Sequence, residues 1–519
     1  MNRINFSNTC RDVKQKVFYR NGLLIAVACL LVFIYRMTIA ADQNSMEGML
    51  IVVPALVAMI FLYYSPKLCI ALIIIWIPFR NLLAGGVGEF YEGYDIFAIL
   101  PEEMKYLDTF LLLILTVCWL SRVVFYREPF KRTPMDRPIL IFCSFALVSA
   151  LGNLTSPIIA ITGVRTFLQF AAFYYVIIQL ELSESFLKKM VFLYLILAMI
   201  QTPISVYNLL SQESYYHASG DLTIGTLKGG ANLLAHYEAM MMCFAIGLIK
   251  FNPKKKLIYI LLFVWYMVSF FTTSGRAALF IFPVAALFVI NQDIKEAMDF
   301  IKSYFILFLI FIIAISFVLF SGLKDIYYGK NLEELNLVQL FEYSKIEQKG
   351  YEGRTYYFEI AWESLNEEAV SPLIGVGPGM FLSNTGQFFE VPLYDKYNLE
   401  SSKYGYRDEG ETLLPADIPV LMTEFGFLGV LAFWYILYEI YRNFKKGVKS
   451  FDDPFWKGIS AGAIGMILMI TVVAVGERTY ETIYLQFLLW FFVSMVYKMR
   501  LINEKKELQN EKIERVFSS

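Results

Sequence analysis

Three arginines carry the most chemical information in this 519-residue chain. Arg165 lies in the apolar stretch ITGVRTFLQFAAFYYVII, Arg276 in FFTTSGRAALF between two apolar runs, and Arg354 in YEGRTYYF within a long polar segment. An arginine at mid-bilayer costs about 2.5–3.5 kcal/mol on insertion scales, so Arg165 needs a partner or a task. Arg276 and Arg354 also read as a snorkelling anchor and a solvated charge. A guanidinium fork matches phosphate oxygens in two-point geometry. Three such forks on one membrane face would suit a diphosphate at headgroup level, which points to a lipid-linked diphosphate. Trp362 and its aromatic neighbours could stack on sugar rings, although aromatics also gather at membrane interfaces for structural reasons. Asp417 and Glu424, where the polar segment gives way to an apolar one, are candidate bases, and so is Glu411 just before them.

Other chemistries find little support. Two histidines, His217 and His236, make a multi-histidine metal site implausible, and the six cysteines are scattered with no CxxC pair, as structural thiols would be. Gly375, Gly377 and Gly379 resemble a phosphate loop only superficially, because no GK[ST] follows them, and they read as a backbone turn. No Walker motif, hydrolase elbow or dinucleotide fingerprint occurs, so no cofactor and no metal are expected. The net charge of −1 gives no basic face for nucleic acid. Gln169, Gln201, Asn208, Asn232, His236 and Glu238 lie in apolar runs, where helix-to-helix hydrogen bonds account for most such groups.

The elements that must position these residues are apolar helices. Hydrophobic residues make up 57% of the chain and charged ones 18%, against about 25% charged in ordinary soluble domains. Mean hydropathy is +0.54. A bilayer core about 30 Å thick needs about 20 apolar residues as helix. Fourteen candidate runs are present, at 21–40, 48–64, 67–84, 106–125, 138–152, 157–180, 189–210, 231–250, 257–272, 277–291, 303–321, 415–441, 457–476 and 480–498. The expected fold is therefore an all-α integral membrane protein. Residues 1–321 hold helices 1–11, 322–414 form one long loop, 415–498 hold helices 12–14, and 499–519 form a charged tail. With the N-terminus inside, thirty of the 45 Lys and Arg fall in inside segments and five in the short outside ones, which fixes the orientation with both termini cytoplasmic. The basic start and the apolar run ending in TIAAD also suit a signal peptide, but Arg36 interrupts the approach to a cleavage site, so an uncleaved first span is preferred.

The 322–414 loop carries sixteen acidic and eight basic residues and falls outside on this orientation. Structureless loops of that length are usually functional. Phe358, Ala361, Trp362 and Leu365 recur at helical spacing and predict an apolar helix face, with Arg354 at the start of the helix. The tail after Lys498 predicts a charged helix or a frayed end.

Four stretches resemble the O-antigen ligase/polymerase family of bacterial membrane glycosyltransferases. TTSGRAALF is similar to the family's Ser-Arg turn. YEGRTYYFEIAWESLNEEAVSPLIGVGPGMF resembles its external-loop pattern. LMTEFGFLGVLAF, with Glu424, Gly426 and Gly429, resembles the span after that loop, and GGANLLAHYEAM resembles an Asn-Ala element that includes Asn232. The resemblance implies transfer of a glycan from undecaprenyl diphosphate at the outer face of the plasma membrane. Arg165, Arg276 and Arg354 would then engage the diphosphate, with Trp362, Gly375, Gly377, Asn232 and Glu424 in support. Ligases of the family carry a His-Asn pair shortly before the Glu-x-Gly, where this chain has Pro415 and Ala416, and no histidine lies in the loop. That departure favours a polymerase of exopolysaccharide, capsule or O-antigen repeats over a ligase. Its expected partners are the lipid-linked substrate, membrane lipids, a flippase and a chain-length regulator. A secondary transporter or flippase is the alternative from another class, although the sequence displays neither the repeated halves nor the interrupted helices expected there.

Overall fold

A computed structural model describes residues 61–84, 104, 106–211, 223–227, 230–273, 275–291, 354–366, 371–389, 391–393 and 416–518. The candidate spans at 21–40 and 303–321 and most of 48–64 lie outside these residues, as does Glu411. Among the described residues the chain is helical throughout, with no strand.

The helices are α1 (Pro66–Leu83), α2 (Leu107–Tyr126), α3 (Asp136–Gly152), α4 (Pro157–Leu168), α5 (Ala171–Gln179), α6 (Glu184–Met199), α7 (Gln201–Ser211), α8 (Gly230–Phe251), α9 (Lys256–Thr272) and α10 (Arg276–Asn291). Then follow α11 (Arg354–Asn366), α12 (Ser371–Ile374), α13 (Asn384–Phe389), α14 (Asp417–Ser450), α15 (Pro454–Val473) and α16 (Ile483–Ser518). Eight helices among the described residues are long and apolar enough to cross a membrane, with α6 and α7 counted as one run, Glu184–Leu209. This is the pattern of a multi-pass membrane protein.

The expected span 157–180 is not one helix. It is α4 and α5, bent by 65° at Gln169–Phe170. Interrupted helices are therefore present, although no glycine or proline at the break announces one. The expected spans at 138–152 and 277–291 are helices of 17 and 16 residues. The charged tail is a direct continuation of the last span, since α16 runs for 36 residues, about 54 Å at 1.5 Å per residue.

α8, α15 and the membrane part of α16 are buried on nearly every side, whereas α9 keeps most of its surface outward. Small residues allow the central contact. Gly458 and Gly462, four apart on α15, lie directly against the backbone of α8 at Gly247 and Phe244. With lipid as apolar as the helices themselves, such close backbone packing is the main source of attraction between spans. At one end of the bundle basic side chains close the helix termini. Lys498 donates to the carbonyls of Ile178 and Leu180, and Lys131 to the carbonyl of Gln179 at 2.8 Å, so both complement the carbonyl end of α5. The polar residues of interest lie at the other end.

Candidate functional site

That other end brings together the end of α3, the start of α4, the start of α8, the start of α14, the described parts of the 322–414 loop and the turn 474–482 between α15 and α16. Two of the singled-out stretches form one unit here. The Val376 N–H donates to the Thr423 carbonyl (2.8 Å), and the Gly377 N–H to that of Glu424 (3.2 Å). The Glu424 carboxylate accepts the N–H groups of Gly379 (2.7 Å), Phe381 (3.3 Å) and Ser383 (3.3 Å). Gly375 and Gly426 have φ of +78° and +66°, and a Cβ on either would enter the backbone of the other segment. Only glycine fits at this crossing. Ser149 and Asn153 of α3 donate to the carbonyls of Glu424 and Gly375. Gly163 of α4 lies against the backbone of Pro378 and Gly379. Glu424 and the glycines thus serve as a fixed seat for the loop, and the backbone-turn reading of the glycines holds.

The other two stretches also meet. Gly275, just before Arg276, packs on Ala235 and Asn232 of α8. Arg276 opens α10 and Arg354 opens α11. The side chains of both lie outside the described residues, so the convergence of the three arginines is a proposal taken up below. Arg165 occupies the last turn of α4, immediately before the 65° bend. Its side chain is exposed, and Nη2 donates to Thr109 Oγ1 at 3.4 Å. Beside Thr109, the buried Asp108 is paired with Arg80 Nη1 at 3.4 Å.

α11 buries Tyr357, Ile360, Ala361, Ser364 and Leu365, and Phe358 is half-buried. Trp362 does not share the buried face and is 55% exposed. At 100° per residue it falls to one side of a face centred near Ala361, and Tyr357 and Ile360 take the position that the sequence spacing gave to it.

The turn 474–482 went unremarked as a motif in the sequence, yet it ties the site together. Asp417 Oδ2 accepts the N–H groups of Thr479 and Tyr480 (the latter at 2.6 Å) and the Thr479 hydroxyl (2.8 Å). Arg478 donates to Asn384 Oδ1 (2.7 Å) and the Leu382 carbonyl (2.8 Å). Glu481 Oε2 accepts the Asn384 N–H (2.8 Å) and faces Arg478 Nε at 3.6 Å. Burial raises the Glu481 carboxyl above the usual glutamate range, against the opposing pull of Arg478 and the Asn384 N–H. Glu477 Oε2 lies 2.8 Å from His236 Nε2 of α8. The one available signal was composition: GERTYET puts six charged or hydroxyl side chains in a turn too short to be a loop domain. Among the described residues no three His, Cys, Asp or Glu side chains are close enough to hold a metal ion.

Compared with known proteins, the chain matches no family model and no curated sequence. The likeness to the ligase/polymerase family therefore rests on the four stretches alone.

Proposed function

We propose that the protein is a polymerase that joins undecaprenyl-diphosphate-linked oligosaccharide repeats into exopolysaccharide, capsule or O-antigen at the outer face of a bacterial plasma membrane. On this reading it has fourteen spans, cytoplasmic termini, residues 322–414 outside, and a flippase and a chain-length regulator as partners. The observation that carries it is the pairing of the four family-like stretches, two by two, at the same end of the bundle as the exposed Arg165. The growing chain on its diphosphate lipid is the donor, and a sugar hydroxyl of the incoming repeat is the acceptor. Arg165, Arg276 and Arg354 hold the leaving diphosphate and stabilise the charge that develops on it. A carboxylate takes the acceptor's proton. The diphosphate is already a good leaving group, so positioning contributes more than proton transfer. Transfer to a lipid or protein acceptor, as in the ligases, differs only in the acceptor.

The bent pair α4–α5 favours a second reading, a transporter or flippase, because discontinuous helices form substrate sites in such proteins. Purified protein in liposomes separates the two. A polymerase lengthens lipid-linked glycan, whereas a transporter moves solute without lengthening any. Arg165→Lys keeps the charge but loses the fork, so polymer should fall in both Arg165→Lys and Arg165→Ala while the protein stays in the membrane. Double replacements with Arg276 or Arg354 should lose less than the sum of the single losses. Normal polymer from Arg165→Ala and Arg276→Ala at normal protein levels would remove the diphosphate role.

A further inference from the structure

Two residues along α8 from His236, and about 200° further round the helix, Glu238 lies on the opposite face of α8, about 12 Å from its start. Its side chain is fully buried, and neither carboxyl oxygen has a hydrogen-bond partner among the described residues. An acid taken out of both water and lipid needs a counterpart, because a lone buried charge is among the costliest groups a bundle can hold. The group that faces it is the buried Ser269 hydroxyl of α9. The hydrogens of the surrounding hydroxyls are turned away from Glu238. Ser205 of α7 donates to the Thr202 carbonyl at 2.8 Å, so it accepts from Ser269 at 3.0 Å, and the one hydrogen of Ser269 is used there. Tyr266 of α9 donates to the Leu195 carbonyl at 2.8 Å. What Glu238 and Ser269 present to each other is therefore oxygen lone pairs with no donor between them. Beside them α6 gives way to α7 at Ile200, which belongs to neither helix. α9 supplies donors to carbonyls next to this break, Tyr266 to Leu195 and Trp265 Nε1 to Met199 at 2.8 Å. An interrupted helix beside a buried acid is a recurrent way of building a cation site at membrane depth.

We infer that Glu238 and Ser269, beside the α6–α7 break, form a binding site for one monovalent cation. The occupant is either a proton, held on the Glu238 carboxyl and donated to Ser269, or an alkali ion, held between the carboxylate and hydroxyl oxygens. Both supply the same thing, a single positive charge among oxygen acceptors, and both leave the site neutral. A divalent ion is not matched by one carboxylate, and among the described residues no three His, Cys, Asp or Glu gather around a metal position. The site lies away from the candidate functional site and does not depend on the polymerase reading. Little charge of the protein's own competes for it. Residues 190–211, in α6 and α7, contain no Asp, Glu, Lys or Arg. α9 has only Lys256, its first residue, and α10 only Arg276, which opens it. α15 has only Lys457, which lies over Phe251 at the other end of α8. The titratable neighbours are phenols, Tyr237 beside Glu238, Tyr266 of α9 and, next to both, Tyr194 of α6.

The test uses the full-length protein in membranes and dicyclohexylcarbodiimide, an apolar reagent that adds to protonated carboxyls. The carboxyl proton passes to one nitrogen, the carboxyl oxygen bonds to the central carbon, and an acyl shift to nitrogen leaves a stable adduct that carries the whole reagent. In choline chloride at about pH 8, where solvated carboxyls are ionised and do not react, peptide mass spectrometry should place an adduct on Glu238. Glu238→Gln should lose that adduct and accumulate normally, because a neutral amide needs no cation. Labelling that is the same in sodium, potassium, lithium and choline chloride identifies the occupant as a proton. Labelling that one alkali salt suppresses identifies that ion, and Ser269→Ala should then weaken the protection. The infrared spectrum provides a second reading that needs no reagent to enter the bundle. A carboxylic-acid C=O band should be present in choline chloride and either be missing from Glu238→Gln or be removed by an alkali salt. If Glu238→Gln does not accumulate, the adduct position and the salt response of the wild-type band decide. No adduct on Glu238 and no such band in any salt would mean an ionised glutamate paired with a cation of the protein itself, and would overturn the site.

Discussion

Glu424 joins three backbone N–H groups to a single buried carboxylate, and its role follows from that count. Hydrogen bonds to a charged group contribute about 1.5–3 kcal/mol each, and buried donors left without an acceptor are costly. Glu424→Ala should therefore destabilise the protein by on the order of 3 kcal/mol, read as a lower unfolding temperature in detergent and as faster proteolysis within 371–389. Asp417 makes the same kind of bond to the turn at Thr479 and Tyr480. Asp417→Asn should consequently reduce abundance and thermal stability while the rate per folded molecule stays within a few-fold of wild type. A large loss of rate in fully stable Asp417→Asn protein would return Asp417 to the role of base. The sequence marked both acids as unusual because they lie at a polar–apolar boundary. It could not distinguish an acid that binds substrate from one that binds backbone, because the N–H partners come from segments 41 to 63 residues away.

At the scale of elements, α14 is one helix in outline and two in backbone conformation. Gly426 has φ 66° and ψ −178°, a conformation open in practice to glycine alone, and it separates the segment from Asp417 to Phe425 from the rest of the span. A side chain at this position carries a strain of about 1–3 kcal/mol and meets the backbone of Leu373 and Ile374 as well. Gly426→Ala and Gly375→Ala should each be strongly destabilising, and combining them should cost less than the sum, since both break one crossing. Thermal unfolding of the single and double variants measures this directly, and full additivity would mean that the two glycines act independently. The bend between α4 and α5 belongs to the same scale. Hydropathy reads 157–180 as a continuous apolar run, because the break involves no change of composition. Packing of Gly163 on Pro378–Gly379 and the 2.8 Å Thr166–Thr385 contact hold α4 against the loop.

For the molecule as a whole, apolar run lengths revealed the class of fold, since nothing but helices satisfies the backbone in a bilayer without a closed barrel. The ordering of the bundle was not legible. Which helices are central depends on pairs such as Gly247 with Gly458 and Gly462, and a single sequence does not say which small residues face each other. The topology prediction is tested by cysteine labelling in intact cells. Ser401→Cys should react with an impermeant reagent and Ser518→Cys should not, and the reverse pattern would invert the orientation argued from the lysines and arginines.

The order in which the chain is made gives the site a further property. Asn153 and Thr166 precede residues 371–389, but the acceptors and donors that fix most of their backbone follow them: Glu424, Arg478 and Glu481. A ribosome adding roughly 5–20 residues per second needs about 5–20 s to pass from Phe389 to Glu481. Throughout that interval the loop has left the ribosome without the acids and the arginine that hold its backbone. A message truncated inside the α15–α16 turn would yield a protein whose earlier helices can insert but whose site is never assembled. Quality control in the cell would meet such a product as a membrane protein with an unfinished loop surface.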